Sequence, residues 1–259
     1  MAIDAAILEN KISELLDIFF AKRCEALNQL KLLNPIKRKN PYLYRAIGVS
    51  DASEIVEEIL RAHVSSSDET IFGNDFFEPL AKWVATQHHT SARVAVSDGE
   101  GVDITIEATD FISPIAVKSG VNVFNASSKK KQGENFATLG RRLQKVRKHF
   151  DPIVGYCYGK KKQSSRATVN FKELAGQEFW EFLTGEEDFY LRIVRLMKSK
   201  PTEHRPQFQE AFDNAKNRFT LEFLSLFSDP ASGAINWDKL LEFNSGKNKF
   251  NKPTIVRIS

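Results

Sequence analysis

Cysteine is scarce in this chain, Cys24 and Cys157 being the only two. They lie too far apart in sequence for a metal-ligand pair or a disulfide framework, which is the usage of a protein kept in a reducing cytoplasm. Long apolar runs are missing too, since no stretch approaches the ~18 residues of a membrane span. The amino terminus, MAIDAAILENKISELL, carries acids in its first turns and lacks the continuous apolar segment of a secretion signal. A cytoplasmic protein with no membrane partner is therefore expected. Also absent are the G-x-x-x-x-G-K-[ST] phosphate loop, the dinucleotide fingerprint and the nucleophile elbow. No nucleotide cofactor is expected, and serine-hydrolase chemistry has no support. His88 and His89 supply no metal site, because adjacent histidines diverge around a helix and no third ligand stands at usable spacing. They read as surface or helix-end residues.

What is present is an ample core and an uneven charge. Hydrophobic residues make up 42% of 259 positions, enough for one large domain or two small ones. The formal net charge of +4 would be unremarkable if spread evenly, but the basic residues are concentrated. From Lys118 to Arg166 a dense series of lysines and arginines meets only Glu134 and Asp151. Its densest parts are Lys129, Lys130 and Lys131, then Arg141 and Arg142, then Lys160, Lys161 and Lys162 with Gln163 beside them. Such a stretch is the footprint of a polyanion partner, although an ordinary solvated face carries the same composition.

Along the chain, Ile3, Ile7, Leu8, Ile12, Leu15, Leu16 and Phe19 recur at helical steps, predicting one or two amphipathic helices up to about residue 31. Asn34-Pro35 through Asn40-Pro41 breaks the pattern. Residues 1–34 thus read as an N-terminal helical segment suited to a dimer arm, and 35–259 as the main domain. Asp51 and Glu54 form a capping box for a helix with Ile55, Val56, Ile59 and Leu60 inward, ending near Ser65-Ser66-Ser67. Asn74 or Asp75 then caps a second helix, with Glu78 in an early turn and Leu80, Trp83 and Val84 as its apolar stripe.

Strands follow. Asp98-Gly99-Glu100-Gly101 is a hairpin turn by the Asp-Gly rule. Val102, Ile104 and Ile106 alternate with Asp103, Thr105 and Glu107, the period of a half-buried strand. A second hairpin passes Thr109-Asp110 into Ile115 and Val117, which alternate with Ala116 and Lys118. With that turn centred near Asp110 and Phe111, Asp103 falls about opposite Lys118 in a three-stranded antiparallel unit. Next come a polar loop carrying Ser119, Asn122, Asn125, Ser127 and Ser128, suited to phosphate or base edges, and a helix over about 134–149 with Arg141 and Arg142 outward. Pro152 to Tyr158 reads as a buried strand of the same sheet, ending in an exposed basic tip. Beyond Phe171, helices are predicted over about 173–184, 186–199, 205–227 and 236–244. Phe179, Trp180, Phe182, Phe189 and Tyr190 read there as core rather than as a base-stacking platform.

A carboxylate beside an ammonium at a strand end suits phosphodiester hydrolysis. The acid holds a divalent cation that acidifies water and stabilises charge on phosphate, and the lysine orients that water. The same pair also serves as a plain cross-strand salt bridge. An Asp on one hairpin strand and a Lys ending the next resembles the PD-(D/E)XK nuclease superfamily. More narrowly, Lys118-Ser119-Gly120, Asn122 and Asn125-Ala126-Ser127-Ser128 resemble type II restriction endonucleases of the PmeII kind. SSSDETIFGNDFFEPLA upstream and LQKVRKHFDPIVGYCYGKK downstream fit that family too.

With the pattern of elements, the resemblance implies an α/β fold: a mixed central sheet carrying the catalytic hairpin, flanked by helices, with a helical C-terminal lobe. It implies a Mg2+-dependent, sequence-specific endonuclease of double-stranded DNA, acting as a homodimer at a short palindromic site within a restriction-modification pair. Asp103 and Lys118 would be catalytic, and Glu78 matches the helix glutamate that joins Asp103 at the metal. The polar loop and the basic residues named above would contact DNA. One position departs from the pattern, for Ala116 stands where the family has Glu or Asp two residues before the lysine. That departure leaves a second reading open, a catalytically silent DNA-binding protein that keeps the nuclease fold.

Overall fold

The computed structural model describes residues 3–89, 92–122, 124–161 and 170–247. Helices α1 (Ala5–Gln29), α2 (Leu33–Ile36), α3 (Pro41–Ala46), α4 (Ala52–Phe72) and α5 (Glu78–His88) precede the strands β1 (Arg93–Gly99), β2 (Val102–Glu107) and β3 (Phe111–Gly120). Then follow α6 (Ala126–Leu143), β4 (His149–Phe150), β5 (Ile153–Tyr158) and β6 (Lys172–Ala175). Helices α7 (Gln177–Thr184), α8 (Phe189–Met197), α9 (Lys200–Phe227) and α10 (Trp237–Ser245) come last. Lys162 and Gln163, in the predicted basic tip, lie outside the described residues. No helix among the described residues is long and apolar enough to cross a membrane.

The chain divides into two compact units, Met1–Phe19 with Glu69–Glu203, and Phe20–Asp68 with His204–Ser259. The first holds the sheet, in the order β1-β2-β3-β5-β6 with β4 paired to β3. β1, β2 and β3 are antiparallel, whereas β4 and β5 run parallel to β3, and β6 parallel to β5. α6 lies in the connection between β3 and its parallel neighbour β5. β3 is covered on both faces. Ile115 and Val117 pack with Ile104, Ile106, Ile153, Leu80 and Val84, while Ala116 packs with Val102, Phe136, Val154 and Tyr156. A central strand buried this way needs the nearly unbroken apolar run that Ile115-Ala116-Val117 provides.

The second unit is helical, with Leu27, Ile55, Ile59, Phe212, Phe219 and Phe223 in its core. Asp51 caps α4 as expected. Its Oδ1 accepts the amides of Ser53 at 2.8 Å and Glu54 at 2.9 Å, and Glu54 Oε2 accepts that of Ser50 at 3.0 Å.

Several local expectations change. α4 does not stop at Ser65-Ser66-Ser67 but runs to Phe72, and neither Asn74 nor Asp75 is a cap, because Gly73–Phe77 is a π-helical turn leading directly into α5. Asp98 and Gly99 end β1, and the turn itself is Glu100-Gly101, with Gly101 at φ 74° as its left-handed residue. In the second hairpin Ile104 pairs with Ile115 and Glu107 with Ile112, so the turn is Thr109-Asp110 and Asp103 arrives opposite Ala116 rather than Lys118. Asn125 caps α6 by accepting the Ser128 amide at 2.8 Å, which makes Ser127 to Lys131 helix instead of loop. Lys172–Ala175 is a parallel edge strand, not the start of a helix. α9 begins at Lys200 and carries Pro206 inside it.

Candidate active site

Polar residues gather at the open end of the β2–β3 hairpin. Past the Ile104–Ile115 pair a side chain takes over from the ladder, for Asp103 Oδ2 accepts the backbone N–H of Val117 at 2.8 Å. The carboxylate is fixed at the strand end by that bond, and its second oxygen is left for another ligand. Val117, Lys118 and Ser119 line a cleft of about 250 Å³ together with Glu69, Thr70, Gly73, Asn74 and Glu78. Its helical wall is the run from α4 through the π turn into α5. Gly73 permits the close approach, since a Cβ there would stand 3.0 Å from the Ser119 Cβ. Glu78 Oε1 takes the Lys82 ammonium at 2.5 Å, one turn along α5.

Cys157, on β5, is 3% exposed, and burial, followed by the charges of Glu78 and Asp103, pushes its thiol well above the ordinary range. That thiol stays protonated and serves in packing, not as a nucleophile. Lys118 pairs in register with Tyr156 of β5, and its Nζ stands 5.7 Å from the centre of the Phe124 ring. Asp103, Glu78 and Lys118 are thus gathered at one end of the sheet. The methyl side chain of Ala116 offers no oxygen, and because it is fully buried against Phe136, Val154 and Tyr156 a larger side chain would have to displace that cluster.

Mg2+ takes one or two carboxylates from a protein and fills its octahedron with water and substrate phosphate. Asp103 and Glu78 would be the carboxylates of such a donor set. Among the described residues no group of three or more His, Cys, Asp or Glu is placed to hold a metal. Glu107, on the same strand as Asp103, is taken up by Lys148 at 2.9 Å and Arg93 at 3.8 Å. The Lys148 hydrogen bond above all holds its carboxyl below the usual range. His88 ends α5 and His89 caps it, as helix-end residues.

The residues expected to contact DNA divide into groups. Ser119, at the cleft, is half-buried, as is Ser128. Asn122, Ser127, Lys130, Arg142 and Lys160 are exposed, while Asn125 is also exposed but used as a cap. Lys131 reaches Glu100 at 3.1 Å in solvent, and Arg141 folds back onto the Ala137 carbonyl and Thr138 hydroxyl of α6. Lys129 and Lys161 meet on a residue that the sequence reading passed over. Glu173 of β6 accepts Lys129 at 2.6 Å, Lys161 at 2.9 Å and the Tyr156 hydroxyl at 2.7 Å. Burial pushes the Glu173 carboxyl up, but these bonds outweigh it and hold it below the usual range. Burial also pushes the Tyr156 hydroxyl far up, and the Glu173 bond adds to it. Glu69, likewise passed over, accepts the Tyr158 hydroxyl at 3.1 Å beside the cleft.

The chain is matched over residues 6–205 by a family model of type II restriction endonucleases. That model is described as type II restriction endonuclease EcoO109I, and the chain belongs to this family. The fold is accordingly restriction-endonuclease-like, and the matched span takes in the whole sheet. The match does not single out the PmeII kind within type II enzymes. No curated protein matches the chain.

Proposed function

We propose that this chain is a Mg2+-dependent type II restriction endonuclease that hydrolyses double-stranded DNA within or near a short palindromic site. It acts as a cytoplasmic homodimer beside a modification enzyme, because two-fold symmetry suits cutting both strands of a palindrome. The observation that carries this reading is the cleft that Lys118 and Glu78 line together with Val117, whose backbone N–H holds the Asp103 carboxylate. Asp103, oriented by the Val117 amide, and Glu78 hold the cation. Lys118 orients the attacking water and offsets charge on the scissile phosphate. Bound Mg2+ supplies Lewis-acid stabilisation of that charge. Lys130, Arg142 and Lys160, with Lys162 and Gln163 of the basic tip, hold the duplex by its phosphates, while Asn122 and Ser127 face base edges or backbone.

Supercoiled plasmid incubated with Mg2+ should be cut to discrete bands, and EDTA should stop the cutting. Ala116 favours a second reading, a DNA-binding protein without turnover, since it leaves the hairpin one carboxylate short of the superfamily pattern. A gel shift with no nicking at any Mg2+ concentration selects that reading.

A further inference from the structure

Glu173 has no place in the chemistry above, yet its half-buried carboxylate takes Lys129, Lys161 and the Tyr156 hydroxyl together. We propose that Glu173 is a positioning residue which, with Tyr156, holds Lys129 and Lys161 as a clamp for a DNA backbone phosphate beside Lys118. The proposal rests on the nuclease reading for its partner and assigns part of the duplex to this face of the sheet. Position supports it, because Tyr156 is the register partner of Lys118 and Glu173 that of Val154, itself the partner of Ala116. Phe124 bridges the two places. Its ring lies 5.7 Å from Lys118 Nζ and 6.4 Å from the Tyr156 ring, over which Lys161 Nζ stands at 5.0 Å.

Charge points the same way. One carboxylate cannot neutralise two ammonium groups, and both lysine side chains remain 26% exposed while Glu173 is 18% exposed. Cationic charge is left facing solvent on side chains whose freedom is already restricted, which is the preorganisation a phosphate site needs. Lys129 also sits in the first turns of α6, where the helix dipole disfavours cations, so helix stability gives no reason for it.

The sign of the Glu173 effect makes the test decisive. A carboxylate that merely offsets charge repels DNA, and removing it tightens binding. A carboxylate that positions the lysines weakens binding when lost. Anisotropy of a labelled mixed-sequence duplex of about 30 base pairs, titrated in EDTA across a salt series, reads both affinity and salt slope. Glu173→Gln keeps an acceptor for Tyr156 and should bind about five- to tenfold more weakly, with a slope flatter by about one for each protomer on the duplex. Lys129→Met/Lys161→Met, which leaves Glu173 and Tyr156 in place, should lose at least as much, and adding Glu173→Gln to it should cost nothing more. If Glu173→Gln does not fold, the lysine pair still decides, since unchanged affinity in that variant overturns the clamp. Glu173→Gln binding as tightly as the parent or more tightly overturns the proposal alone, as does an equal loss with the lysines already gone. A parent protein that binds no duplex at all overturns the nuclease reading and the clamp together.

Discussion

Lys118 and Ala116 stand two residues apart on β3 and meet opposite surroundings. Lys118 lines the cleft, so Lys118→Ala should abolish plasmid cutting while duplex binding stays within about tenfold, its role being at the phosphate rather than in base reading. Retained turnover would remove it from the mechanism. Ala116 is fully buried among apolar side chains, and a glutamate there carries a carboxyl whose folded pKa is raised by desolvation. The native state of Ala116→Glu then binds more protons than the unfolded state, so its stability falls as pH rises above about 4.3. Its melting temperature should lie further below the parent's at pH 8 than at pH 5. Glu78→Ala tests the other side of the same question, because loss of Mg2+-dependent cutting is expected if the second carboxylate comes from α5. Cutting gained by Ala116→Glu would instead mark the chain as an inactivated form.

The cleft depends on how closely the π turn approaches β3. A methyl at Gly73 meets the Ser119 Cβ at 3.0 Å, so Gly73→Ala should cost about 1–3 kcal/mol and lower cutting out of proportion to its effect on melting. Gly99→Ala is the control, since nothing lies within 4 Å of its Cβ position. Equal behaviour of the two variants would disconnect the π turn from the site. This arrangement was only half legible in the sequence. The apolar periodicities of α1, α4 and β2 were strong enough to read, and Asp51 announced its cap. Asn74 and Asp75 looked like another cap because their type favours helix ends, but the packing of Phe76, Leu80 and Val84 keeps the backbone helical through them. The β2–β3 turn had to be guessed from Thr109 and Asp110, and a turn displaced by one residue moves the cross-strand partner of Asp103 by two. Glu173 was invisible for another reason. Its partners come from α6, β5 and the segment just after β5, and only the sheet order, not any local pattern, brings them together.

For the whole molecule the quantity that matters is how many phosphates the basic series neutralises, not the net charge of +4. Two members are tied up in ion pairs away from the clamp, Lys131 with Glu100 and Lys148 with Glu107. Exposed Lys160 leads the tip that continues into Lys162. Neutralising Lys160, Lys161 and Lys162 together should weaken duplex binding most at low salt and flatten the plot of log K against log salt by about one per lost contact in each protomer. In a homodimer every substitution is made twice. A slope that falls by about two for each contacting lysine, with two protomers per duplex by sedimentation, is the expected result. A fall of about one per lysine means a single protomer on the duplex and removes the symmetry argument for palindromic cutting. An unchanged slope means that the tip faces solvent and that Lys161 clamps no phosphate, and the duplex must then be held by α6 and the cleft alone.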